Sequence, residues 1–197
     1  MKGAETIGAS MQAEQNKTVA DSFSEAMRAY EDGKVAEAKR LARRLTDTAP
    51  QFGGAHYLLG LLALDAAQGK RAAESLARAI AITPRQPVLH LAMGRALEIS
   101  GDVAEAGLHY RTVLSIDSTH AEAHARLGEL LRRTGKRDEA MAHCRAAIAA
   151  NPAHAEALNT LGALLTQTGH AAEACEVLRR ALEQRPDWPA ALNNFGV

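Results

Sequence analysis

The stretch AEALNTLGALLTQTGHAAEACEVLRRALEQRP, residues 155–186, is the strongest indication of the fold because its pattern occurs twice in succession. The preceding stretch, AEAHARLGELLRRTGKRDEAMAHCRAAIAANP over residues 121–152, places Leu-Gly, Thr-Gly, an Ala and a closing Pro at the same points. The offset between the two stretches is 34 residues. A constant period of this length predicts an array of repeats, each of which is one supersecondary unit.

The same period divides most of the chain. Extended in both directions without any insertion, it gives five full repeats and the start of a sixth: 19–52, 53–86, 87–120, 121–154, 155–188 and 189–197. Repeat position 8 is Gly from the second repeat onward, and repeat position 20 is Ala in every full repeat. Residues 1–18 lack this pattern, and we expect them to form a flexible N-terminal tail.

Each repeat is predicted to contain two helices. Leu158, Leu161 and Leu165 recur at the i, i+3 and i+7 spacing of an amphipathic helix, and Gly169 is placed to end it. A second apolar stripe follows, and Pro186 prevents its extension. The small residues at positions 8 and 20 allow the two helices to approach closely. We therefore predict an all-α superhelix of stacked helix–turn–helix units.

The second repeat departs from this pattern in one respect. Its glycine, Gly69, comes two residues later than the turn glycine of the other repeats. We therefore expect the first helix of this repeat to be longer than usual and its second helix to be shorter.

These intervals of Leu-Gly, Ala and Pro resemble the tetratricopeptide repeat, a helix–turn–helix motif of the same length. The resemblance implies a superhelix with a concave groove, lined by the first helices, that binds a peptide or protein segment. It also implies that positions 2, 5, 9, 12 and 13 of each repeat face the groove. On this basis the residues predicted to contact a partner are Tyr57, Leu61, Leu91, Arg95, Arg132, Arg133 and Asn159.

The chemistry of these positions suggests the kind of partner. Leucines beside arginines suit an amphipathic segment that carries acidic residues. Packing by neighbouring repeats or self-association is the alternative explanation for the leucines. The Lys and Asn clamp by which related grooves hold chaperone C-termini is missing at the matching positions. The asparagine ladder of O-GlcNAc-transferase-like repeats is matched only by Asn194.

The composition favours a protein partner over other classes. Lys plus Arg equals Asp plus Glu at 23 each, which argues against nucleic-acid binding. We expect a cytoplasmic protein without membrane insertion, because no long apolar run or signal segment is present and the two cysteines suit a reducing compartment. His56, His90 and His124 share one repeat position, as duplication produces, and we predict no metal, no cofactor and no catalytic residue.

Two functions fit these patterns. The first is a non-enzymatic scaffold for protein–protein interaction. The second is the N-terminal, substrate-recruiting arm of a larger enzyme, such as a protein glycosyltransferase or sulfotransferase, as the resemblance to bacterial Ala- and Arg-rich repeats implies. Because the sixth repeat contains only nine residues, we expect the chain to be part of a longer protein. The alternative is a short chain whose last half-repeat caps the array or mediates self-association.

Overall fold

The computed structural model describes the backbone of residues 2–196 and the side chains of residues 17–196. Over these residues the chain is all-α, without a strand, as predicted. The helices are α1 (Lys2–Glu31), α2 (Val35–Thr48), α3 (Gly53–Asp65), α4 (Gly69–Ile82), α5 (Pro87–Ser100), α6 (Val103–Ile116), α7 (Ala121–Arg133), α8 (Arg137–Ala150), α9 (Ala155–Gln167), α10 (Ala171–Gln184) and α11 (Pro189–Phe195).

The first helices from α3 to α11 all begin at position 1 of a predicted repeat. Proline occupies the start of α5 and of α11, where its missing N–H would have no helical partner in any case. At the start of α7 and α9 a histidine caps the helix instead. The Nδ1 atoms of His120 and His154 accept hydrogen bonds from the backbone N–H groups of Ala123 and Ala157.

The N-terminus differs from the prediction. We expected a flexible tail over residues 1–18, whereas α1 is already helical from Lys2; Met1 lies outside the described residues. Residues 2–18 contain no proline and are rich in Ala, Glu, Gln, Met and Lys, which favour helices. The helix of the first repeat therefore meets no stop signal on its N-terminal side.

The second repeat also differs from the prediction, because its two helices have the same lengths as those of the fifth repeat. α3 has 13 residues and α4 has 14, as do α9 and α10. Ala67 takes the turn position with a positive φ of 52°, where Gly135 and Gly169 each have a φ of 79°. Gly69 is instead the first residue of α4, where it lies close to α5. The turn is thus conserved in length and only its residue type has changed.

Two compact units make up the chain, Met1–Asp102 and Val103–Val197. In the first compact unit, α3 packs on α2, α4 and α5. In the second compact unit, α9 packs on α7, α8, α10 and α11. Leucine and alanine dominate both cores. Cys144 is fully buried, and burial raises the pKa of its thiol to about 12.

The glycine at repeat position 8 makes room for the side chain at position 24 of the same repeat. A Cβ atom on Gly162 would lie 2.4 Å from Cγ of Leu178, and one on Gly60 would lie 2.7 Å from Cγ of Leu76. A Cβ atom on Gly128 would meet Sγ of Cys144 at 2.8 Å. The two helices of a repeat therefore approach closely at this glycine, as predicted, and the atoms nearest to it belong mainly to a side chain of the second helix.

Candidate functional site

The predicted partner-binding residues fall into both compact units. Tyr57, Leu61, Leu91 and Arg95 belong to the first compact unit, on α3 and α5. Arg132, Arg133 and Asn159 belong to the second, on α7 and α9.

In the first compact unit, the predicted contact residues of α3 and α5 are three apolar side chains and one cation. Tyr57 and Leu61 are four residues apart on α3, as are Leu91 and Arg95 on α5, so each pair shares a helix face. The three apolar side chains are half-buried and Arg95 is exposed. Arg95 forms no ion pair with another residue of the part of the chain whose side chains are described. It is therefore a free cation on a partly apolar surface.

Two further apolar residues extend this set on α5. Val88 and Ile99 are 44% and 45% exposed, which is unusual for large apolar side chains. Together with Leu91 and Arg95 they recur at i, i+3, i+7 and i+11, the spacing of one helix face. Neither Val88 nor Ile99 was among the predicted contacts, although both occupy groove-facing positions of the repeat, positions 2 and 13.

Two tyrosines adjoin Arg95. The hydroxyl of Tyr30 donates a hydrogen bond of 2.7 Å to Oδ2 of Asp65. Burial and this bond raise the pKa of Tyr30 to about 12, and the charge of Arg95 opposes part of the rise. Burial also raises the pKa of Tyr57, again opposed by Arg95. Both phenols therefore remain protonated near neutral pH; Tyr30 already donates its hydrogen bond to Asp65, whereas Tyr57 can donate to a bound partner. Tyr30 was not predicted, because its role depends on a partner 35 residues away.

In the second compact unit, two of the three predicted residues are bound to neighbours. Arg132 donates to Glu129 through both Nε and Nη2, each at 2.8 Å, and Asn194 donates to Oδ1 of Asn159 at 2.9 Å. The bidentate pair raises the pKa of Arg132. Arg133 is exposed. A partner that used Arg132 would compete with an existing ion pair.

A polar depression of about 320 Å³ lies between consecutive repeats of the second compact unit, lined by residues that include Glu122, His154, Glu156 and Arg185. Glu122 accepts from Arg126 at 2.7 Å and contacts Nε2 of His154 at 3.0 Å. Arg185 pairs with Glu156 at 2.5 Å. The Glu122–His154 contact joins α7 to the residue that caps α9, and the Arg185–Glu156 pair joins the end of α10 to α9, so the depression is chiefly a polar link between helices.

Acid should weaken this link. The hydrogen bond from His154 and the neighbouring Arg126 lower the pKa of Glu122 from 4.5 to about 2. A lowered folded-state pKa stabilises the fold above pH 4.5, and this stabilisation disappears as the pH falls toward 2. Glu122→Gln should therefore reduce the loss of unfolding free energy over that range, as measured by urea unfolding. Solvent screening will reduce the size of this effect, since the side chain of Glu122 is 34% exposed.

The matched control is Glu105→Gln, which removes an exposed carboxylate of the same compact unit. The control should leave the acid dependence of unfolding unchanged. If the unfolding free energy fell equally with pH in the wild type and in Glu122→Gln, the contacts of Glu122 would not contribute to acid sensitivity. His154 titrates in the opposite sense: its contact with Glu122 raises its pKa, so its contribution is present below pH 6.5 and is lost on the alkaline side.

The histidines that share repeat position 4 have a common structural role. Each ring points its Nε2 atom at a carbonyl oxygen in the turn before its own helix. The distances are 3.2 Å from His56 to Pro50, 2.8 Å from His90 to Pro84 and 3.1 Å from His124 to Ser118. Within residues 17–196, no group of three or more His, Cys, Asp or Glu side chains is arranged to hold a metal ion. These histidines therefore share a repeat position because each makes the same contact with the turn before its helix.

Residues 17–196 also contain no helix that is long and apolar enough to span a membrane.

Tandem helix hairpins of fixed length define a helical-repeat protein. The chain belongs to the tetratricopeptide repeat family: one family model described as "Tetratricopeptide repeat" matches residues 23–87 and 91–153, and a second with the same description matches residues 133–193. The predicted family and fold class are confirmed. No curated protein matches the chain by sequence.

Solved structures of similar fold include several tetratricopeptide proteins. The chain is 20% identical to YrrB, described as having an unusual peptide-binding site, with a TM-score of 0.73 over 95% of this chain and 97% of that one. It is 19% identical to MamA, with a TM-score of 0.72 over 82% and 94%. It is 15% identical to PilF of Pseudomonas aeruginosa, with a TM-score of 0.83 over 91% and 82%. At these identities the likeness shows the fold alone.

Proposed function

We propose that the chain is a non-enzymatic interaction module that binds a segment of a partner protein on the first-helix face of its first compact unit. This face comprises Tyr57 and Leu61 of α3 with Leu91 and Arg95 of α5. The observation that carries the proposal is the cation of Arg95, which is exposed, has no ion-pair partner among the described residues and shares its helix face with the half-buried Leu91.

The chemistry of the face specifies its partner. Leu61, Leu91 and the exposed Val88 and Ile99 can cover apolar side chains of a bound segment. Arg95 can hold one carboxylate of the segment through two hydrogen bonds. We therefore propose an amphipathic segment with spaced apolar residues and one acidic residue. YrrB, of similar fold, is described as having a peptide-binding site, which supports this class of ligand.

The proposal concerns the binding step only. A recruiting arm of a larger enzyme would use the same step, and no feature of the described residues favours that alternative over a free-standing scaffold. Arg132, Arg133 and Asn159 remain predicted contacts of the second compact unit.

Arg95→Ala should weaken binding by about tenfold or more, since a hydrogen bond to a charged group contributes roughly 1.5–3 kcal/mol. Peptides selected on the wild-type protein from a random displayed library would serve as ligands, and isothermal titration calorimetry would give their affinity. We expect the selected peptides to share an acidic residue among apolar ones. The stability of the variant should change by less than about 0.5 kcal/mol, because Arg95 is exposed.

Arg137→Ala is the control, because Arg137 is an exposed arginine on the second helix α8. Its affinity should equal that of the wild type. Selected peptides without a common acidic residue, bound equally well by the Arg95→Ala variant, would refute the proposed face. Arg132→Ala and Arg133→Ala test whether the second compact unit takes part.

A further inference from the structure

The second helices of the first compact unit carry an excess of positive charge that the neutral total conceals. α2 and α4 together contain seven Lys and Arg residues against three carboxylates. The corresponding second helices α8 and α10 of the second compact unit contain four against five. Charge is therefore distributed unevenly along a chain whose formal net charge is zero.

All seven cations are exposed and lie opposite the buried faces of their helices. On α2 the buried side is formed by alanine and leucine, and on α4 by glycine, alanine and leucine. We call the exposed set the basic face; it comprises Lys39, Arg40, Arg43, Arg44, Lys70, Arg71 and Arg78.

The cations of the basic face are not neutralised within the fold. None of them forms an ion pair with another residue between 17 and 196. α10 provides the contrast, because there Arg179 contacts both Glu176 and Glu183. Arg43 of α2 has the same repeat position as Arg179, but the position of Glu176 is taken by Arg40. One carboxylate of the α10 arrangement has been replaced by a further cation.

This arrangement disfavours the helix that carries it. Lys39 and Arg43 are four residues apart, as are Arg40 and Arg44, and like charges at this spacing repel. Exposed side chains contribute little to packing, so packing does not offset the repulsion. An anionic ligand outside the chain would relieve it. Arginine, which supplies five of the seven cations, matches the planar geometry of carboxylates.

We propose that the basic face binds an acidic segment of a partner protein. Nucleic acid is the less suitable ligand, because nucleic-acid binders carry an overall basic excess that this chain lacks. A membrane surface is also less suitable, since Val35 is the one exposed large apolar side chain among the residues of α2 and α4. The basic face lies on second helices, so the proposal is independent of the first-helix face and its ligand.

Arg40→Glu tests the proposal, because it restores the carboxylate that α10 has at this position. The new carboxylate can pair with Arg43 and Arg44, so the melting temperature should stay the same or rise. Affinity for a fluorescent peptide of alternating Glu and Gly, measured by anisotropy at low ionic strength, should fall about tenfold or more. Added salt should weaken binding of the wild type. A merely structural role of Arg40 would not separate stability from binding in this way.

The controls identify the ligand and the surface. Arg137→Glu, which changes an exposed arginine of α8, should keep the affinity of the wild type, and a peptide of alternating Gln and Gly should not bind. Failure of the wild type to bind the acidic peptide, or equal binding by Arg40→Glu, would overturn the proposal. Binding only of a DNA duplex or only of phosphatidylserine vesicles would overturn the partner class. Loss of peptide binding in Arg95→Ala but not in Arg40→Glu would assign the peptide to the first-helix face.

Discussion

The substitution Gly69→Ala should destabilise the first compact unit by about 3 kcal/mol, at the upper end of the range for overpacking. A Cβ atom at this position would lie 2.6 Å from the carbonyl oxygen of Ala96 and 2.9 Å from the backbone nitrogen of Ser100. Because these are backbone atoms of α5, the clash cannot be relieved by a side-chain rotation, and α4 must move. Urea unfolding followed by circular dichroism would measure the effect.

Two other substitutions make this result specific. Gly107→Ala, in the middle of α6, should stabilise by roughly 0.5–1 kcal/mol, since its Cβ atom would meet nothing closer than 3.6 Å. Ala67→Gly should stabilise by about 1 kcal/mol, because it removes the strain of a positive φ at a residue with a side chain. If the Gly69→Ala variant were as stable as the wild type, the close packing of α4 on α5 would be contradicted.

The second large effect is expected at the helix contact of the fifth repeat. Leu178→Ala should destabilise by about 3 kcal/mol, because the side chain is only 1% exposed and its removal leaves a cavity. Gly162→Ala should also destabilise, since its Cβ atom would lie 2.4 Å from Cγ of Leu178. In the double variant the added methyl group occupies space that the leucine has vacated. The double variant should therefore be more stable than the sum of the two single effects by about 1 kcal/mol or more.

The control for this double-mutant cycle combines Gly162→Ala with Val113→Ala. Val113 is fully buried on α6, which packs on α7, whereas Gly162 lies on α9. These two effects should add within about 0.5 kcal/mol. Additivity of Gly162→Ala with Leu178→Ala as well would show that glycine is not required there to accommodate the leucine.

The predicted contact residues show how far the sequence extends toward a site. The positions implied by the family resemblance, together with side-chain chemistry, selected Tyr57, Leu61, Leu91 and Arg95, and the structure places each of them at an at least partly exposed position of a first helix. Whether they bind a partner is a prediction that the proposed peptide selection tests. The same reasoning could not find the bond from Tyr30 to Asp65, because it joins different repeats.

Local patterns in the sequence determined the family, the all-α class and the points at which most helices begin. These features depend on apolar periodicity and on Gly and Pro, which act within a few residues of their own position. Contacts between helices made Ala67 the turn residue while Gly69 packs on α5, and they paired Tyr30 with Asp65 of the next repeat. Such features depend on atoms of other helices and turns, which a repeat pattern averages away.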